Sequence, residues 1–305
     1  MRVFVTGASG HIGSALIPEL LENGHQVTGL ARSDASAAVL EAAGAGVRRG
    51  DLDDLDGLRE GAAAADGVIH LAFKHEAMAA GDYLTAVADD LKALGALAAG
   101  LEGSGKPFVG TGGTLMLAFG GITGRAGTEQ DVLTNGPRVD AENLVIGLAG
   151  RGVRSSLVRL PPIVHSSLDH TGFAHILIGI ASGTGVSAYV GDGANRWPAV
   201  HTLDAARLYR LALESAPAGS RLHGVADEGV PFRDIAEVIG RRLNLPVKGI
   251  DQADAGEHFG MLGMFAGLDN LTSGTLTRQL LTWQPSHVGL IDDLTHGHYF
   301  DGVAG

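Results

Sequence analysis

The chain has 305 residues, which is long enough for a nucleotide-binding domain and a smaller companion. Apolar residues make up 45% and charged residues 18% of the chain, proportions that fit a globular enzyme and argue against disorder. The formal net charge is −12 and basic residues cluster only as short pairs such as Arg48-Arg49, so we expect no binding to nucleic acid.

The chain opens with a strand, a glycine turn and a helix. Arg2–Thr6 is an apolar, β-branched run of strand length. The glycines that follow are spaced by three residues: Gly7, Gly10 and Gly13. Glycine at such a turn lets a phosphate reach the backbone N–H groups of a helix N-terminus, because no side chain blocks the approach. The helix presents apolar residues at helical spacing and ends at Gly24.

A second strand at His25–Ala31 completes a unit that is typical of dinucleotide binding. The expected cofactor contacts in the turn are Gly7, Ser9, Gly10, His11, Ile12 and Gly13. The residue type at the end of this strand determines the cofactor preference, since a basic residue accommodates the 2′-phosphate of NADP and an acidic one binds the ribose of NAD. Arg32 and Ser33 therefore favour NADP(H). The alternative is that Arg32 is a solvated loop residue and Asp34 binds the ribose.

Strands and helices continue to alternate up to residue 160. The expected strands are Gly46–Gly50, Gly67–Ala72, Pro107–Thr111 and Val153–Leu160. The expected helices are Ala35–Ala43, Leu55–Ala65, Tyr83–Leu101 and Pro137–Gly150. This alternation predicts an α/β protein with a doubly wound parallel sheet, the Rossmann fold.

The regular alternation fails beyond Leu160, where Pro161-Pro162 stops the strand. The following segment is rich in glycine and polar residues, with a further helix at Leu203–Ser215. We expect an NADP-binding domain over residues 1–164, with a return segment at about 196–225, and a mainly substrate-binding C-terminal lobe over 165–305.

Several motifs resemble those of the short-chain dehydrogenase/reductase superfamily. They are Thr6-Gly7-Ala8-Ser9-Gly10-His11-Ile12-Gly13, then Gly50-Asp51-Leu52 after the third strand and His70-Leu71-Ala72 after the fourth. The glycine spacing is similar to that of the extended and atypical branches, which include epimerases, dehydratases and 3β-hydroxysteroid-dehydrogenase-like proteins. The resemblance covers most of residues 1–245.

The resemblance implies further cofactor contacts. Asp51 and Leu52 would flank the adenine. The nucleotide channel would be lined by Leu71, Ala72 and Phe73. The segment that ends the sixth strand resembles one that packs against the nicotinamide, which adds Pro161 and Val164. Asp51 could instead be a helix N-cap. Asp204 lies in a second segment that resembles the family, Trp197 to Asp204, and could instead be a residue that starts a helix.

The chain departs from the superfamily in its catalytic residues. The family usually carries a Tyr, a Lys four residues later and an upstream Ser, so that the phenol can pass a proton to the carbonyl. None of the four tyrosines is followed by Lys at that spacing. Alignment on Glu142 puts Thr134 in place of the Tyr, Arg138 in place of the Lys, and Thr111 and Thr114 near the Ser position. Arg138 can bind a ribose hydroxyl or hold positive charge near the nicotinamide, but a guanidinium does not donate a proton.

The proton would then come from another group. His75, His165 and His170 are candidates because histidine titrates near neutral pH, and His165 is the one assigned a catalytic role here since it follows the nicotinamide-facing segment. Asp131 is a further candidate acid or base. For each of these residues the alternative is an ordinary loop residue held by hydrogen bonds.

The 13 histidines raise the question of a metal site. Nitrogen ligands occur in two groups: His165, His170 and His175 in one, and His296 and His298 beside Asp292 and Asp293 in the other. Because the chain lacks cysteine and the second group lies in an acidic C-terminal segment, we expect no functional metal.

The sequence therefore predicts an NADPH-dependent oxidoreductase that reduces a carbonyl or imine-like group of a small organic molecule. Two rivals stay open: an NADP(H)-binding sensor or scaffold without catalysis, and an epimerase or dehydratase that uses the cofactor transiently. The lack of cysteine is consistent with a cytoplasmic protein, and no stretch resembles a membrane span. Packing through the helices at Tyr83–Leu101 and Pro137–Gly150, frequent in the resembled family, is compatible with a homodimer.

Overall fold

The computed structural model describes residues 1–75, 82–134, 136 and 138–301. Its strands are β1 (Arg2–Thr6), β2 (Gln26–Ala31), β3 (Gly46–Arg49), β4 (Gly67–His70), β5 (Pro107–Gly113), β6 (Arg154–Leu160), β7 (Ile163–His165), β8 (Ser187–Val190), β9 (Arg196–His201), β10 (Ser220–His223), β11 (Asp227–Pro231) and β12 (Val247–Ile250).

The α-helices of the described residues are α1 (His11–Glu22), α2 (Asp34–Ala42), α3 (Leu55–Ala64), α4 (Tyr83–Leu101), α5 (Leu115–Phe119), α6 (Val139–Gly147), α7 (Phe173–Thr184), α8 (Thr202–Ser215), α9 (Phe232–Leu243), α10 (Ala255–Phe259), α11 (Gly263–Ala266), α12 (Thr275–Leu281) and α13 (Leu290–His296). Short 3₁₀ turns lie at Leu148–Arg151, Gln252–Asp254, Gly260–Leu262 and His298–Phe300. Of these helices, none combines the length and the apolarity that crossing a bilayer requires.

Seven parallel strands form the central sheet, in the order β10-β6-β5-β4-β1-β2-β3. The direction of winding reverses between β1 and β4, because β2 and β3 lie on one side of β1 while β4, β5 and β6 lie on the other. This arrangement confirms the predicted doubly wound sheet. Such sheets bind their ligands beyond the carboxyl ends of the strands at this point of reversal.

The side chains of β1 alternate between the two faces of the sheet, and both faces are covered. Val3 and Val5 belong to the core that also contains α1 and α8. Phe4 belongs to the core on the other face, with residues of α3, α4 and α6. All residues of β4 are buried, as a strand in the middle of a parallel sheet must be.

Two smaller sheets build the C-terminal lobe. In one, β9 pairs antiparallel with β11 and parallel with β7; in the other, β8 and β12 form a parallel pair. The core of the lobe packs α7 and α9 around Trp197, Phe232 and Tyr299. Between these parts the chain returns to the large sheet, where α8 packs on one face and β10 pairs with β6.

The helix expected at Pro137–Gly150 is shorter in the structure. It begins at Val139, after Arg138 in a left-handed conformation with φ 63°, and Pro137 lies outside the described residues. From Leu148 the chain tightens into a 3₁₀ turn that ends at Gly152, which has φ 72°. The start of α6 therefore depends on a strained residue of the candidate site.

A buried ion network ties the central sheet to α6. Arg159 of β6 is 0% exposed and donates to both oxygens of Glu142, from Nε at 2.9 Å and from Nη2 at 2.5 Å. Arg221 of β10 donates to the same carboxylate at 2.7 Å. Burial pushes the pKa of Glu142 upward, but the two guanidinium groups together outweigh burial and lower the pKa below its ordinary value.

Glu142→Gln keeps the shape of this side chain and leaves Arg159 as a buried cation without its counter-charge. We expect the free energy of unfolding at pH 7, measured by urea denaturation, to fall by about 3–5 kcal/mol. Because the folded-state pKa of Glu142 lies below its unfolded value of about 4.5, its contribution is present above that value and is lost as the pH falls through the folded-state pKa. The difference between wild type and variant should therefore shrink in acid.

The matched control is Glu102→Gln, which removes the exposed ion pair between Glu102 and Arg151. This variant should leave the unfolding midpoint nearly unchanged. Equal losses in the two variants, or a loss in Glu142→Gln that does not shrink in acid, would contradict the proposed role of the network.

Candidate functional site

The glycine turn lies at the carboxyl end of β1, beside the point where the sheet reverses. Gly7 has φ +68°, and a Cβ there would lie 2.7 Å from the backbone N of Ala72. At Gly13 a Cβ would lie 2.3 Å from the carbonyl oxygen of Gly7, so α1 approaches β1 as closely as it does only because this residue has no side chain. Glycine is therefore required at both positions for steric reasons.

The N-terminus of α1 has the features of an anion-binding site. Its N-cap is Gly10, which has no side chain to cap the helix, and the first helical turn contains no acidic residue. The N–H of Ser14 is the first to bond within the helix, to the carbonyl of Gly10 at 2.8 Å. The preceding N–H groups and the helix dipole can bind a phosphate, so the turn fits a dinucleotide.

Three other predicted residues of the turn take different positions. Ser9 is half-buried, and Ile12 packs against the core of the sheet. His11 connects the turn to the second lobe, with Nε2 2.7 Å from Thr202 Oγ1 and Nδ1 3.9 Å from Asp169 Oδ1. Burial lowers the pKa of His11, and the nearby Asp169 carboxylate opposes this only in part.

At the carboxyl end of β2, the two residues predicted to select the cofactor are both exposed. Arg32 follows the strand, and Ser33 is the N-cap of α2, where its hydroxyl accepts a hydrogen bond from Ser36 N at 3.1 Å. The alternative ribose ligand Asp34 has its carboxylate 2.6 Å from Arg49 Nη2. This corner of the site thus carries two arginines, Arg32 and Arg49, and the Asp34 carboxylate is paired with Arg49.

The residues expected at the adenine follow β3. The Asp51 carboxylate accepts from the backbone N–H of Asp53 at 2.9 Å and of Asp54 at 3.2 Å. The N-cap of α3 is Asp54, whose side chain accepts from Gly57, so the reading of Asp51 as that N-cap is wrong. Leu52 is buried in the core beneath the sheet.

The guanidinium of Arg138 lies against Phe73, in the segment that follows β4. The Arg138 guanidinium stacks 4.2 Å from the centre of the Phe73 ring and donates from Nη2 to the carbonyl oxygen of Thr111 at 3.1 Å. The same nitrogen lies 3.8 Å from Oδ2 of Asp90, which is 2% exposed. Arg138, Phe73 and Thr111, which were predicted from separate parts of the sequence, are therefore brought together.

A chain of hydrogen bonds connects Asp90 through His70 to Thr6. His70 Nε2 lies 3.1 Å from Asp90 Oδ1, and His70 Nδ1 lies 2.7 Å from Thr6 Oγ1. A carboxylate only accepts, so His70 Nε2–H donates to Asp90, and Nδ1 of the neutral ring then accepts from the Thr6 hydroxyl, whose oxygen also accepts from Ala72 N. Sequence reasoning missed Asp90, although a carboxylate at a buried position of an Ala/Leu helix was the signal that could have revealed it.

Two titratable rings lie within the influence of the Arg138 charge. Burial lowers the pKa of His75, and Arg138 lowers it further. Burial raises the pKa of Tyr83, and Arg138 counteracts part of that rise. Sequence reasoning set Tyr83 aside because no Lys follows it four residues later; in the structure the cation that acts on its pKa is Arg138, the residue before α6.

The two threonines at the predicted Ser position have different surroundings. Thr111 donates from Oγ1 to the carbonyl of His70 at 2.7 Å and lies 2.8 Å from the hydroxyl of Tyr209, whose pKa burial raises. Thr114 is 0% exposed and donates to Oδ1 of Asn270 at 2.8 Å. Thr111 therefore borders the cation, while Thr114 is enclosed in the interior and cannot contact a ligand as placed.

The candidate proton donors His165 and Asp131 are engaged elsewhere. His165 is 0% exposed, and its Nδ1 lies 2.7 Å from Oδ2 of Asp293. Within the described part of the chain, no hydrogen bond or ion pair links His165 to Thr111 or Arg138. Asp131 accepts two hydrogen bonds from Arg125, which hold its pKa far below its usual range. Asp131 is therefore a poor general base.

The remaining predicted positions follow β6 and β9. Pro161 is buried, and Val164 packs against the core of the large sheet. Asp204 lies in the first turn of α8 and accepts hydrogen bonds from Ser286 N and His287 N. The reading of Asp204 as a helix-start residue is confirmed.

Comparison with known proteins assigns the chain to a family. Residues 3–90 match the NAD dependent epimerase/dehydratase family. An uncharacterized protein of Schizosaccharomyces pombe is 46% identical over 302 residues, which cover 98% of this chain and 100% of that protein. The chain belongs to the NAD-dependent epimerase/dehydratase family. An uncharacterized protein of Saccharomyces cerevisiae is 43% identical over 299 residues, which cover 96% of this chain and 98% of that protein.

The fold of this epimerase/dehydratase-family protein is also that of known members of the superfamily. The dTDP-glucose 4,6-dehydratase DesIV of Streptomyces venezuelae matches with a TM-score of 0.76 and 20% identity, over 98% of this chain and 97% of that one. These findings confirm the predicted membership of the short-chain dehydrogenase/reductase superfamily. The matched family is described as one of NAD-dependent epimerases and dehydratases.

Gly13→Ala tests the close approach of α1 to β1. The added Cβ would overlap the carbonyl oxygen of Gly7, so the helix must move away from the turn, and we expect dinucleotide affinity to fall by about tenfold or more. The measurement is titration of the protein with NADPH and NADH by calorimetry. Gly147→Ala is the control, because a Cβ at that helical glycine meets nothing within 4 Å. Undiminished binding by Gly13→Ala would refute the assignment of the turn.

Proposed function

We propose that the protein is an NADPH-dependent oxidoreductase that reduces a carbonyl or imine-like carbon of a small organic molecule. The observation that carries the proposal is the cation fixed at the carboxyl edge of the sheet, where Arg138 stacks on Phe73 and binds the carbonyl of Thr111. Its left-handed backbone, with φ 63°, costs a residue other than glycine about 1–3 kcal/mol. Such strain is typical of a residue held in place for chemistry.

The preference for NADPH is inferred from the end of β2. Arg32 follows the strand directly, where a basic side chain accommodates a 2′-phosphate. Asp34, the acid that could instead bind the ribose of NAD, is paired with Arg49 at 2.6 Å. A basic side chain at this position therefore supports the phosphorylated cofactor.

When bound, the cofactor supplies a hydride from its nicotinamide ring to the substrate carbon. The substrate oxygen or nitrogen must then gain a proton, and negative charge develops on it before the proton arrives. Arg138 can stabilise that charge from a fixed position, but its guanidinium keeps its own protons. A second group is needed to deliver the proton.

Tyr83 is the better donor of the two rings that feel the Arg138 charge. The pKa of His75 lies below its ordinary value of 6.5, so its imidazole is mostly neutral at pH 7. The phenol of Tyr83 carries its proton at that pH, and Arg138 can stabilise the phenolate left behind. A Tyr of α4 and the Arg that precedes α6 would thus replace the Tyr and Lys that other members of the superfamily carry on one helix.

The proposal is tested by the loss of reduced-nicotinamide absorbance with NADPH and with NADH, across aldehydes, ketones, enones and cyclic imines. We expect NADPH to be consumed, and Arg32→Glu to lower kcat/KM for NADPH by about tenfold or more while affecting NADH less. The control Asp34→Asn should leave NADPH use unchanged. Preferential use of NADH would overturn the cofactor assignment. NADPH that binds but is never consumed would overturn the reductase and favour a sensor.

Tyr83→Phe removes the proposed proton donor and keeps the ring. With an active substrate we expect kcat to fall by about 10²–10⁴-fold and NADPH affinity to stay unchanged. Because Tyr83 acts in its protonated form and its pKa lies above 10.0, wild-type kcat should persist through neutral pH and decline only as the pH rises through that pKa. Tyr189→Phe, in the second lobe, is the control. A wild-type rate in Tyr83→Phe together with a loss in His75→Gln would transfer the role to His75.

A further inference from the structure

We propose that His170, His175 and His298 form a binding site for a divalent transition metal of the Zn²⁺ type. One ring nitrogen from each of these residues lies within 4.8 Å of the others. The ring centres form a triangle with sides of 5.6, 6.0 and 6.4 Å. The proposal does not depend on the proposed oxidoreductase activity.

Three separate elements bring these histidines together. His170 lies in the loop between β7 and α7, His175 lies in the first turn of α7, and His298 starts the last 3₁₀ turn of the chain. The cluster takes two histidines from the first group that the sequence showed, His170 and His175, and one from the second group, His298. His165 is paired with Asp293, and His296 is exposed and lies outside the cluster.

The spacing suits tetrahedral metal binding after small adjustments. Ligand nitrogens at about 2.0–2.1 Å from Zn²⁺ are about 3.3 Å from one another, so ring nitrogens that lie up to 4.8 Å apart would need to move closer together. His170 is exposed, and His175 and His298 are half-buried, so the cluster is accessible at one side. Three neutral imidazoles without a thiolate suit Zn²⁺ and its neighbours, with a fourth position left for water or another ligand.

Hydrogen bonds already orient two of the rings. The carbonyl oxygen of Asp169 accepts from Nε2 of His175 at 2.7 Å and from Nε2 of His298 at 2.9 Å. A carbonyl only accepts, so both Nε2 atoms carry hydrogen and the lone pairs lie on Nδ1. Metal-binding histidines commonly donate their second N–H to a backbone carbonyl in this way.

Two further features favour a cation. Nδ1 of His298 is buried and has no hydrogen-bond partner in the structure. The Asp169 carboxylate beside the cluster is 0% exposed and accepts from Tyr299 at 3.1 Å and from Gly172 N at 2.7 Å. A buried negative charge next to three imidazoles lowers the free energy of a metal ion bound there.

A bound metal would fasten the C-terminal segment to the glycine turn. His298 and Tyr299 belong to the last described turn, and Asp169 lies between that turn and His11. The predicted effect is structural, namely that metal binding stabilises the folded chain.

The experiment uses untagged full-length protein that has been treated with a chelator and then titrated with Zn²⁺ by calorimetry, and with Co²⁺ by visible absorption. We expect one equivalent to bind, Co²⁺ to give the intense absorption of a tetrahedral complex, and Zn²⁺ to raise the Tm. His170→Asn should weaken binding by about tenfold or more and abolish the rise in Tm. His170 is exposed, so this variant should fold, which far-UV circular dichroism checks.

His296→Asn is the matched control, since His296 is exposed on the same C-terminal segment and lies outside the cluster. It should bind Zn²⁺ as the wild type does. Failure of the wild type to bind either metal, or equal binding by wild type and His170→Asn, would overturn the proposal. Loss of binding in His296→Asn but not in His170→Asn would also overturn it.

Discussion

The candidate cofactor site depends on the close approach of α1 to the carboxyl end of β1. Gly13 faces the carbonyl oxygens of Gly7 and Ala8 at distances that leave no room for a Cβ, and Gly7 itself abuts the backbone at Ala72. This contact sets the direction of the α1 dipole relative to the sheet. It also fixes the N-terminus of α1 at the point where the strand order reverses. The candidate phosphate site and the packing of α1 on the sheet therefore both require that Gly13 has no side chain.

The opposite end of the cleft is organised around a buried carboxylate rather than a steric contact. Asp90 is held by His70 on one side and faces Arg138 on the other. A buried carboxylate is costly unless it is paired and hydrogen-bonded, and this pairing draws residues of β4, α4 and the start of α6 to one place. The left-handed backbone of Arg138 is compensated by these contacts and by the stack on Phe73. The cluster retains a cation although the usual Lys is missing.

Polar contacts, in addition to apolar packing, connect the glycine turn to the second lobe. His11 reaches Thr202, whose hydroxyl also lies beside Ser166 and the carbonyl of His165. Asp169, a few residues on, joins the same region to Tyr299 near the end of the chain. These side-chain hydrogen bonds fix the position of the second lobe relative to the glycine turn. His175 and His298 of the histidine triangle both bond to the backbone carbonyl of the same Asp169.

Local features of the sequence were sufficient to predict the sheet and its cofactor turn. Alternating runs and glycine spacing report on backbone conformation and on burial, which neighbouring residues decide. They gave no access to the partnerships of Asp90 with Arg138 and of His298 with His170, because those residues lie far apart in the chain and only the winding of the sheet and the return of the C-terminus bring them together. Thr114 and His165 were predicted to be catalytic on their position after a strand, yet side-chain direction and packing enclose both in the interior. The sequence by itself thus determined the fold and the class of cofactor site. The tertiary structure alone decided which polar side chains meet, since pairing across elements is a property of packing and not of spacing.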